Sequence, residues 1–340
     1  DSYESEGYDR NHLNIPEIQN KLVEAICQKQ KKVIVVLHNG APVLMPWLDK
    51  VNAVLESYLA GEAVGRAQVD ILFGDVNPGG KLAETFPIHL GHNPSYTNFA
   101  EESKEVDYKE GIFVGYRWYD KRNMEVLFPF GHGLSYTRFA YDNLQVSSER
   151  ITDQDTLEVT VDITNTGSVA GREIVQLYVS DRTGIVIRPE KELKGFESIL
   201  LEPAETKTVT MTLDKRSFAW YNEQISDWYC ASGEYAIKIG KSSREIVLEK
   251  SITVSTEVVL PRIITEDTIL GEIMDNPQAY ALIMELMKPF FDAFGMKQDK
   301  MGEEILKGLP LRGMQGFAGL GDVELEQTIE TLNLIFSDCK

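Results

Sequence analysis

Cysteine is scarce in this chain: Cys27, Cys230 and Cys339 stand far apart, and no CxxC pair occurs. That spacing argues against a structural zinc site and against a fold that depends on disulfides. An odd, sparse count fits a reducing compartment, so a cytoplasmic location is expected. Long apolar runs are also missing, and none approaches the ~20 residues of a membrane helix. Positive charge is in deficit, with 34 Lys and Arg against 53 Asp and Glu and a formal net charge of -19. So acidic a chain repels phosphate backbones and anionic lipid, and neither nucleic acid nor membrane is expected as a partner. A neutral substrate such as a sugar meets no such barrier. The histidines form no HxxxH or HExxH spacing, so no metal ligands are assigned. No Lys-Ser/Thr follows residues 111–115 as a phosphate loop requires, and no GxSxG elbow is present. The opening Asp1-Ser2-Tyr3-Glu4 has neither the basic start nor the apolar stretch of a signal peptide.

What is present is ordinary globular material: 340 residues, 43% hydrophobic and 26% charged, enough for two or three domains. Three regions differ in pattern. The first, 1–139, reads as α/β. Pro16 and Glu17 suit a helix start, Ile18, Leu22, Val23 and Ile26 share one apolar face, and Lys29, Lys31 and Lys32 suit the end. Val33-Ile34-Val35-Val36-Leu37 reads as a strand buried on both faces, as in a parallel sheet. A second strand over 51–55 and a helix over 62–73 follow, with Asn77-Pro78-Gly79-Gly80 as a turn. A doubly covered parallel sheet needs more strands than these. Earlier βα units are therefore expected ahead of Asp1, and without them the layer is expected to expose apolar surface and an open edge.

The second region, 140–256, alternates apolar and polar residues over 157–164, 174–179, 208–213, 235–240 and 251–254. Short alternating strands separated by turn residues predict an antiparallel β-sandwich of immunoglobulin-like or fibronectin type III-like size. The third region, 257–340, is helical. Tyr280, Ile283, Met287, Phe290 and Phe294 fall on one face that ends at Gly295. Asp322 is placed to cap a last helix carrying Leu325, Ile329, Leu332 and Phe336. Its interrupted pattern predicts a tail that packs on another domain.

The chemistry-bearing stretch is Glu4-Ser5-Glu6-Gly7-Tyr8-Asp9-Arg10. Several carboxylates and an arginine share a loop at the edge of a parallel sheet, where α/β folds present groups to substrate. Glycoside hydrolysis needs two such carboxyls, one an acid and one a nucleophile or base. The same residues also describe a solvated acidic loop. His38 in His38-Asn39-Gly40 suits a hydrogen-bonded loop residue, and His132 a structural one. Phe113, Tyr116, Trp118 and Tyr119 read either as sugar-stacking rings or as the two faces of one strand.

Taken together, four stretches resemble the C-terminal part of glycoside hydrolase family 3 β-glucosidases, in particular bacterial ones. They are Glu6-Gly7-Tyr8-Asp9-Arg10, His38-Asn39-Gly40-Ala41-Pro42-Val43, the run from Asp70 through Gly74-Asp75-Val76-Asn77-Pro78-Gly79-Gly80-Lys81-Leu82, and Phe128-Pro129-Phe130-Gly131-His132-Gly133-Leu134-Ser135-Tyr136-Thr137. Leu309-Pro310-Leu311-Arg312 looks like a tail motif of some members, while Gly79 and Arg66 depart from the usual Ser and small residue. The resemblance implies an α/β sandwich domain of which 1–139 is the C-terminal part, a fibronectin type III-like domain over 140–256 and a helical tail over 257–340. It implies a preceding barrel domain, as partner, that carries the nucleophilic aspartate. It assigns the general acid/base to Glu6, with Glu4 as the alternative. The substrate would be a small β-linked glucoside or cello-oligosaccharide, hydrolysed with retention and with no metal or organic cofactor. The isolated chain is expected to be inactive. A non-catalytic sandwich that binds carbohydrate or protein is the other reading. No residue is assigned to substrate binding.

Overall fold

The computed structural model describes residues 3, 5, 7, 10–99, 105–293 and 300–337. They form two compact units, Asp1–Tyr221 with Trp228–Glu257, and Asn222–Asp227 with Val258–Lys340.

The first unit begins with α1 (Glu17–Lys29), β1 (Ile34–Leu37), β2 (Ala53–Glu56), α2 (Val64–Phe73), β3 (Phe86–Pro87), α3 (Tyr116–Lys121) and β4 (Val126–Phe128). β1 and β2 pair in parallel, Ile34 opposite Ala53 and Leu37 opposite Glu56. Leu37, Val43, Met45, Trp47 and Phe86 make the local core. Trp47 is fully buried, and its indole N–H donates to Asn20 Oδ1 at 2.8 Å, which ties α1 to this core. The predicted helix and strands are there, but their burial differs from expectation. Ile18 is 73% exposed and Leu22 59%, so most of the apolar stripe of α1 faces outward, while Val23 packs on the core. Ile34 is 53% exposed, and β1 is not buried on both faces. Among the described residues β1 has a single strand neighbour, so the cover a parallel strand needs on both faces is not assembled. The apolar surface and open edge expected of so small a sheet are both seen.

A β-sandwich completes this unit. Its elements are β5 (Phe139–Val146), β6 (Arg150–Thr152), β7 (Leu157–Asn165), β8 (Gly171–Asp181), β9 (Glu192–Leu201), β10 (Thr206–Leu213), the short α4 (Lys215–Phe218), a hairpin of β11 (Trp220–Asn222) and β12 (Asp227–Tyr229), β13 (Gly233–Gly240) and β14 (Ile246–Ser255). A three-stranded sheet, β10-β7-β5, packs on a five-stranded one, β6-β14-β13-β8-β9. Period two does the work: Leu157, Val159, Val161 and Ile163 point inward with no exposed surface, and their neighbours face out. Every strand read from alternation exists. β8 is buried beyond alternation, since Gln176, Tyr178 and Ser180 are covered as well as Val175, Leu177 and Val179.

The extra cover on β8 comes from the α/β segment. Asn77-Pro78-Gly79-Gly80 is an irregular connector, not a turn. Asn77 Oδ1 accepts from Ser135 Oγ and the Tyr136 N–H at 3.0 and 2.8 Å, and its Nδ2 donates to the Ala170 carbonyl at 2.9 Å. Lys81 Nζ lies 3.0 Å from the Glu173 carboxylate and donates to the Gly133 carbonyl at 2.8 Å. Gln176 Nε2 donates to the Gly131 carbonyl at 3.0 Å. Gly131 sits at φ +79, and a Cβ on Gly133 would meet the Gly80 carbonyl oxygen at 2.2 Å, so both glycines are required by geometry.

The second unit holds α5 (Leu270–Ile273), α6 (Pro277–Leu286), α7 (Lys288–Ala293), α8 (Lys300–Lys307), α9 (Gly313–Ala318) and α10 (Asp322–Ser337). Asn276 caps α6 by accepting the Gln278 and Ala279 N–H groups, and Pro277 follows in the position that needs no donor. Leu270, Ile273, Ile283, Met287, Leu311 and Leu332 are fully buried together. The tail therefore has a core of its own, where its interrupted pattern predicted dependence on a neighbour. Asp322 is the first helical residue of α10 and accepts from Gln315; Glu324 reaches back to the Gly321 N–H instead. Phe294 and Gly295 lie outside the described residues. No helix among the described residues is long and apolar enough to cross a membrane.

Lys81→Met strands the Glu173 carboxylate in a buried site and is expected to cost about 3–5 kcal/mol in a denaturant titration. Adding Glu173→Leu is expected to recover most of that loss, because no unpaired charge then remains.

Candidate active site

The acidic segment meets the rest of the unit just past β1. Gly7 N–H donates to Ser5 Oγ at 3.1 Å. Arg10 Nη2 donates to the Pro42 carbonyl at 3.3 Å, and the Leu44 N–H to the Leu13 carbonyl at 2.8 Å. Residues 10–13 are thereby fastened along 42–44, beyond the carboxyl end of β1. In α/β sheets that is the edge where ligands bind.

The carboxyl ends of β1 and β2 lie side by side because the two strands are parallel and in register. Gln68 of α2 bridges them, with its amide nitrogen 2.7 Å from His38 Nε2 and 3.0 Å from Ser57 Oγ. Asn39 is buried, and its Nδ2 donates to the Ala41 carbonyl at 2.9 Å. One residue on from Ser57, Tyr58 adopts φ +44, which an L-residue adopts only under constraint; its N–H donates to Glu56 Oε1 at 2.8 Å. Glu84 joins this group. Burial holds its carboxyl above the usual range, the Tyr58 phenol opposes that shift, and the Glu56 charge adds to it.

A cleft of about 420 Å³ opens beside Arg10 and Asn11. Its other wall is the loop after β3, which contributes Leu90, Asn93, Ser95, Tyr96 and Phe99. That loop is a series of tight turns closed by backbone hydrogen bonds, such as Asn93 N–H to Leu90 O at 2.9 Å and Phe99 N–H to Ser95 O at 2.8 Å. Trp118 of α3 holds it by an indole N–H bond to the His92 carbonyl at 2.9 Å.

Known proteins share this sequence and this arrangement. The model of the glycosyl hydrolase family 3 C-terminal domain matches residues 1–116, and a fibronectin type III-like domain matches 173–243. The thermostable beta-glucosidase B of Acetivibrio thermocellus is 50% identical over 338 residues, which is 98% of this chain and 45% of that protein. The beta-glucosidase of Kluyveromyces marxianus is 42% identical over 258 residues, 75% of this chain and 30% of that one. Among solved structures, the Bifidobacterium adolescentis GH3 beta-glucosidase superposes with a TM-score of 0.75 at 41% identity, over 83% of this chain and 41% of its own.

This chain belongs to glycoside hydrolase family 3. It spans less than half the length of these relatives.

The residues that sequence reasoning nominated for family-3 chemistry separate on inspection. Glu6 and Glu4 both lie outside the described residues; their neighbours Ser5, Gly7 and Arg10 lie within them. His38 is an exposed, hydrogen-bonded loop residue. His132 stacks on Phe128 with ring centroids 5.3 Å apart, and burial, then Lys81, lowers its pKa, which suits a structural role. Tyr116, Trp118 and Tyr119 of the aromatic string lie on the helix α3, not on a strand, and Phe113 precedes it. Tyr116 stacks on Phe130 at 4.7 Å and its hydroxyl accepts the Leu193 N–H, while burial pushes Tyr119 up to about 12. These rings fasten α3 to the sandwich instead of offering their faces to a sugar. Sequence reasoning missed the Glu56–Tyr58–Glu84 group and the cleft. The first had a signal, a glutamate two positions ahead of a tyrosine at a strand end; the second had none, because turns assemble it.

Glu84→Gln removes a carboxyl whose raised pKa penalises the folded state once pH exceeds the unfolded value. Its thermal midpoint is expected to exceed wild type at pH 7, and the gain to vanish toward about pH 3, where the carboxyl is protonated in both states. A gain of equal size at both pH values would rule out this titration.

Proposed function

We propose that the chain is the C-terminal portion of a retaining β-glucosidase and supplies its general acid/base. The observation that carries this is the 50% identity to a thermostable beta-glucosidase across 98% of the chain, together with the match of the family 3 C-terminal domain from residue 1 to 116. Glu6 protonates the oxygen of the departing group while an aspartate of the preceding barrel domain attacks the anomeric carbon. The same carboxylate then takes a proton from water as the glycosyl-enzyme is hydrolysed, so configuration is retained. Small β-glucosides, cello-oligosaccharides among them, are the substrates, and no cofactor takes part. The outward apolar stripe of α1 and the half-covered β1 fit a chain whose α/β layer is completed by preceding polypeptide. The domain limits follow: an α/β part over 1–139, a fibronectin type III-like domain over 140–256 and a helical tail over 257–340. Free Cys27 and Cys230 suit the cytoplasm. One relative, in Bifidobacterium breve, is an exo-alpha-(1->6)-L-arabinopyranosidase at 44% identity, which leaves the choice of glycone to the barrel.

A purely binding sandwich would display a row of rings on one sheet face. The exposed rings of the described sandwich strands, Phe196 and Tyr221, stand on separate ladders, β9 and β11, and do not favour it.

In the complete enzyme, Glu6→Gln is expected to lower turnover of cellobiose by about 10²–10⁴-fold with the fold intact. Steady-state kinetics and circular dichroism check this. Normal turnover in that variant, with Glu4→Gln inactive, would move the role to Glu4.

A further inference from the structure

We propose that the apolar surface formed by the end of α2 and residues 134–136 is a docking face for the polypeptide that precedes this chain in the complete enzyme. This docking rests on the reading of the chain as a C-terminal portion. It adds a second contact, at the seam with the sandwich, to the uncovered α1 and β1.

α2 is 10 residues long and buries none of them. So short a helix is marginal in water unless an apolar face is packed. Gln68 turns toward the strands, where it meets His38 and Ser57. Val69, Leu72 and Phe73 turn to solvent, and Phe73 is 80% exposed. Gly74, at φ +84, ends the helix and leads to Val76, which is exposed as well. Residues 134–136 lie along this end of α2. The Tyr136 hydroxyl donates to the Ile71 carbonyl at 2.9 Å, and Asn77 Oδ1 accepts from the Tyr136 N–H and the Ser135 hydroxyl. Leu134 is 77% exposed and Tyr136 54%. Apolar residues exposed singly need no explanation, whereas a group of them on one surface marks an interaction site.

The face is fixed before anything covers it. Gly133 is pressed against Gly80, Ser135 is bonded to Asn77, and Thr137 Oγ1 donates to the buried Asn165 Oδ1 at 2.6 Å. The backbone that presents Leu134 is therefore held on both flanks, and little freedom is lost on docking.

The occupant follows from charge and length. At a net charge of -19, two copies of this chain repel, which disfavours self-association through this face. A segment of the same polypeptide meets it at an effective concentration set by the connecting chain. The 50% identical relative aligns with 98% of this chain but with only 45% of its own length, so more than half of that protein is available as cover. Residues 134–136 lead directly into β5. Docking here therefore grips the sandwich together with the α/β layer.

Hydroxyl-radical footprinting of the complete enzyme, read by mass spectrometry, tests the assignment. Phe73, Leu134 and Tyr136 are expected to label as slowly, for their residue types, as the buried Phe86. Labelling at the rate of exposed side chains would overturn the docking face. If Ile18 and Leu22 of α1 are protected while Phe73 and Leu134 are not, the chain is still a C-terminal portion and only this face is lost. Free labelling of all four removes both readings. Protection that disappears on dilution to the monomer would give the face to a second copy and overturn the assignment as well. Phe73→Gln with Leu134→Gln is expected to lower the thermal midpoint of the complete enzyme. The same pair is expected to leave that of the 340-residue chain unchanged, because there both side chains already face water. An unchanged midpoint in the complete enzyme, or an equal fall in both proteins, would contradict the docking.

Discussion

A largely covered ammonium, Lys81, meets a buried carboxylate, Glu173, and that pairing governs how the α/β segment lies on the sandwich. Removing either partner leaves the other charge poorly solvated, so the two segments they belong to are held in one relative position. The pair is framed by contacts that allow no side chain: the Gly133 backbone against Gly80, and Gly131 against Gln176. Asn77 adds hydrogen bonds on both sides of the same seam. A second tie runs through α3, where Asp120 pairs with Lys191 at 2.7 Å and also holds Arg244. The far side of α3 carries Trp118, which grips the loop of the candidate cleft. The sandwich is thus linked to the cleft at a distance, through one short helix.

The chemistry of the chain reads as half of a machine. A glycosidase of this kind needs an acid on one side of the scissile bond and a nucleophile on the other. On the reading proposed above, this chain would supply the acid, Glu6, and the preceding barrel the nucleophile. The chain also offers, around the carboxyl edge of its parallel sheet, groups that resist water: a buried asparagine, a constrained tyrosine and a half-buried glutamate. The outward apolar stripe of α1 belongs to the same picture, because an apolar face of that size on a helix is normally covered.

Much of the fold was legible in the sequence, for one physical reason. Alternation in β7 and periodicity in α1 are local, and local patterns survive without knowledge of the tertiary structure. What stayed hidden was pairwise and long-range. Nothing in the neighbourhood of Lys81 announces Glu173. Nothing local shows that β9, a charged and half-exposed edge strand, would pair at all. Periodicity says that α1 has an apolar face and cannot say whether anything covers it. The rings from Phe113 to Tyr119 suited a strand or a sugar-stacking row on pattern; the last three lie on a helix instead, with Tyr116 packed against Phe130 and Tyr178. The helices of the tail were legible from their periodic faces, but not the core they share, which is gathered from segments distant in sequence. At the site, resemblance pointed to Glu6, and the described geometry added the anchoring of its flanks through Arg10 and Pro42. The Tyr96–Phe99 wall arises from consecutive turns, a shape with no period to read.

Division of the catalytic pair between this chain and a preceding barrel is the central claim, and covalent labelling tests it most directly. A 2-deoxy-2-fluoro-β-glucoside with a good leaving group traps the glycosyl-enzyme of a retaining glycosidase on its nucleophile. Peptide mapping of the labelled complete enzyme by mass spectrometry is expected to find the sugar on an aspartate outside these 340 residues. A label on any carboxylate within them would contradict the division and place the nucleophile in this chain.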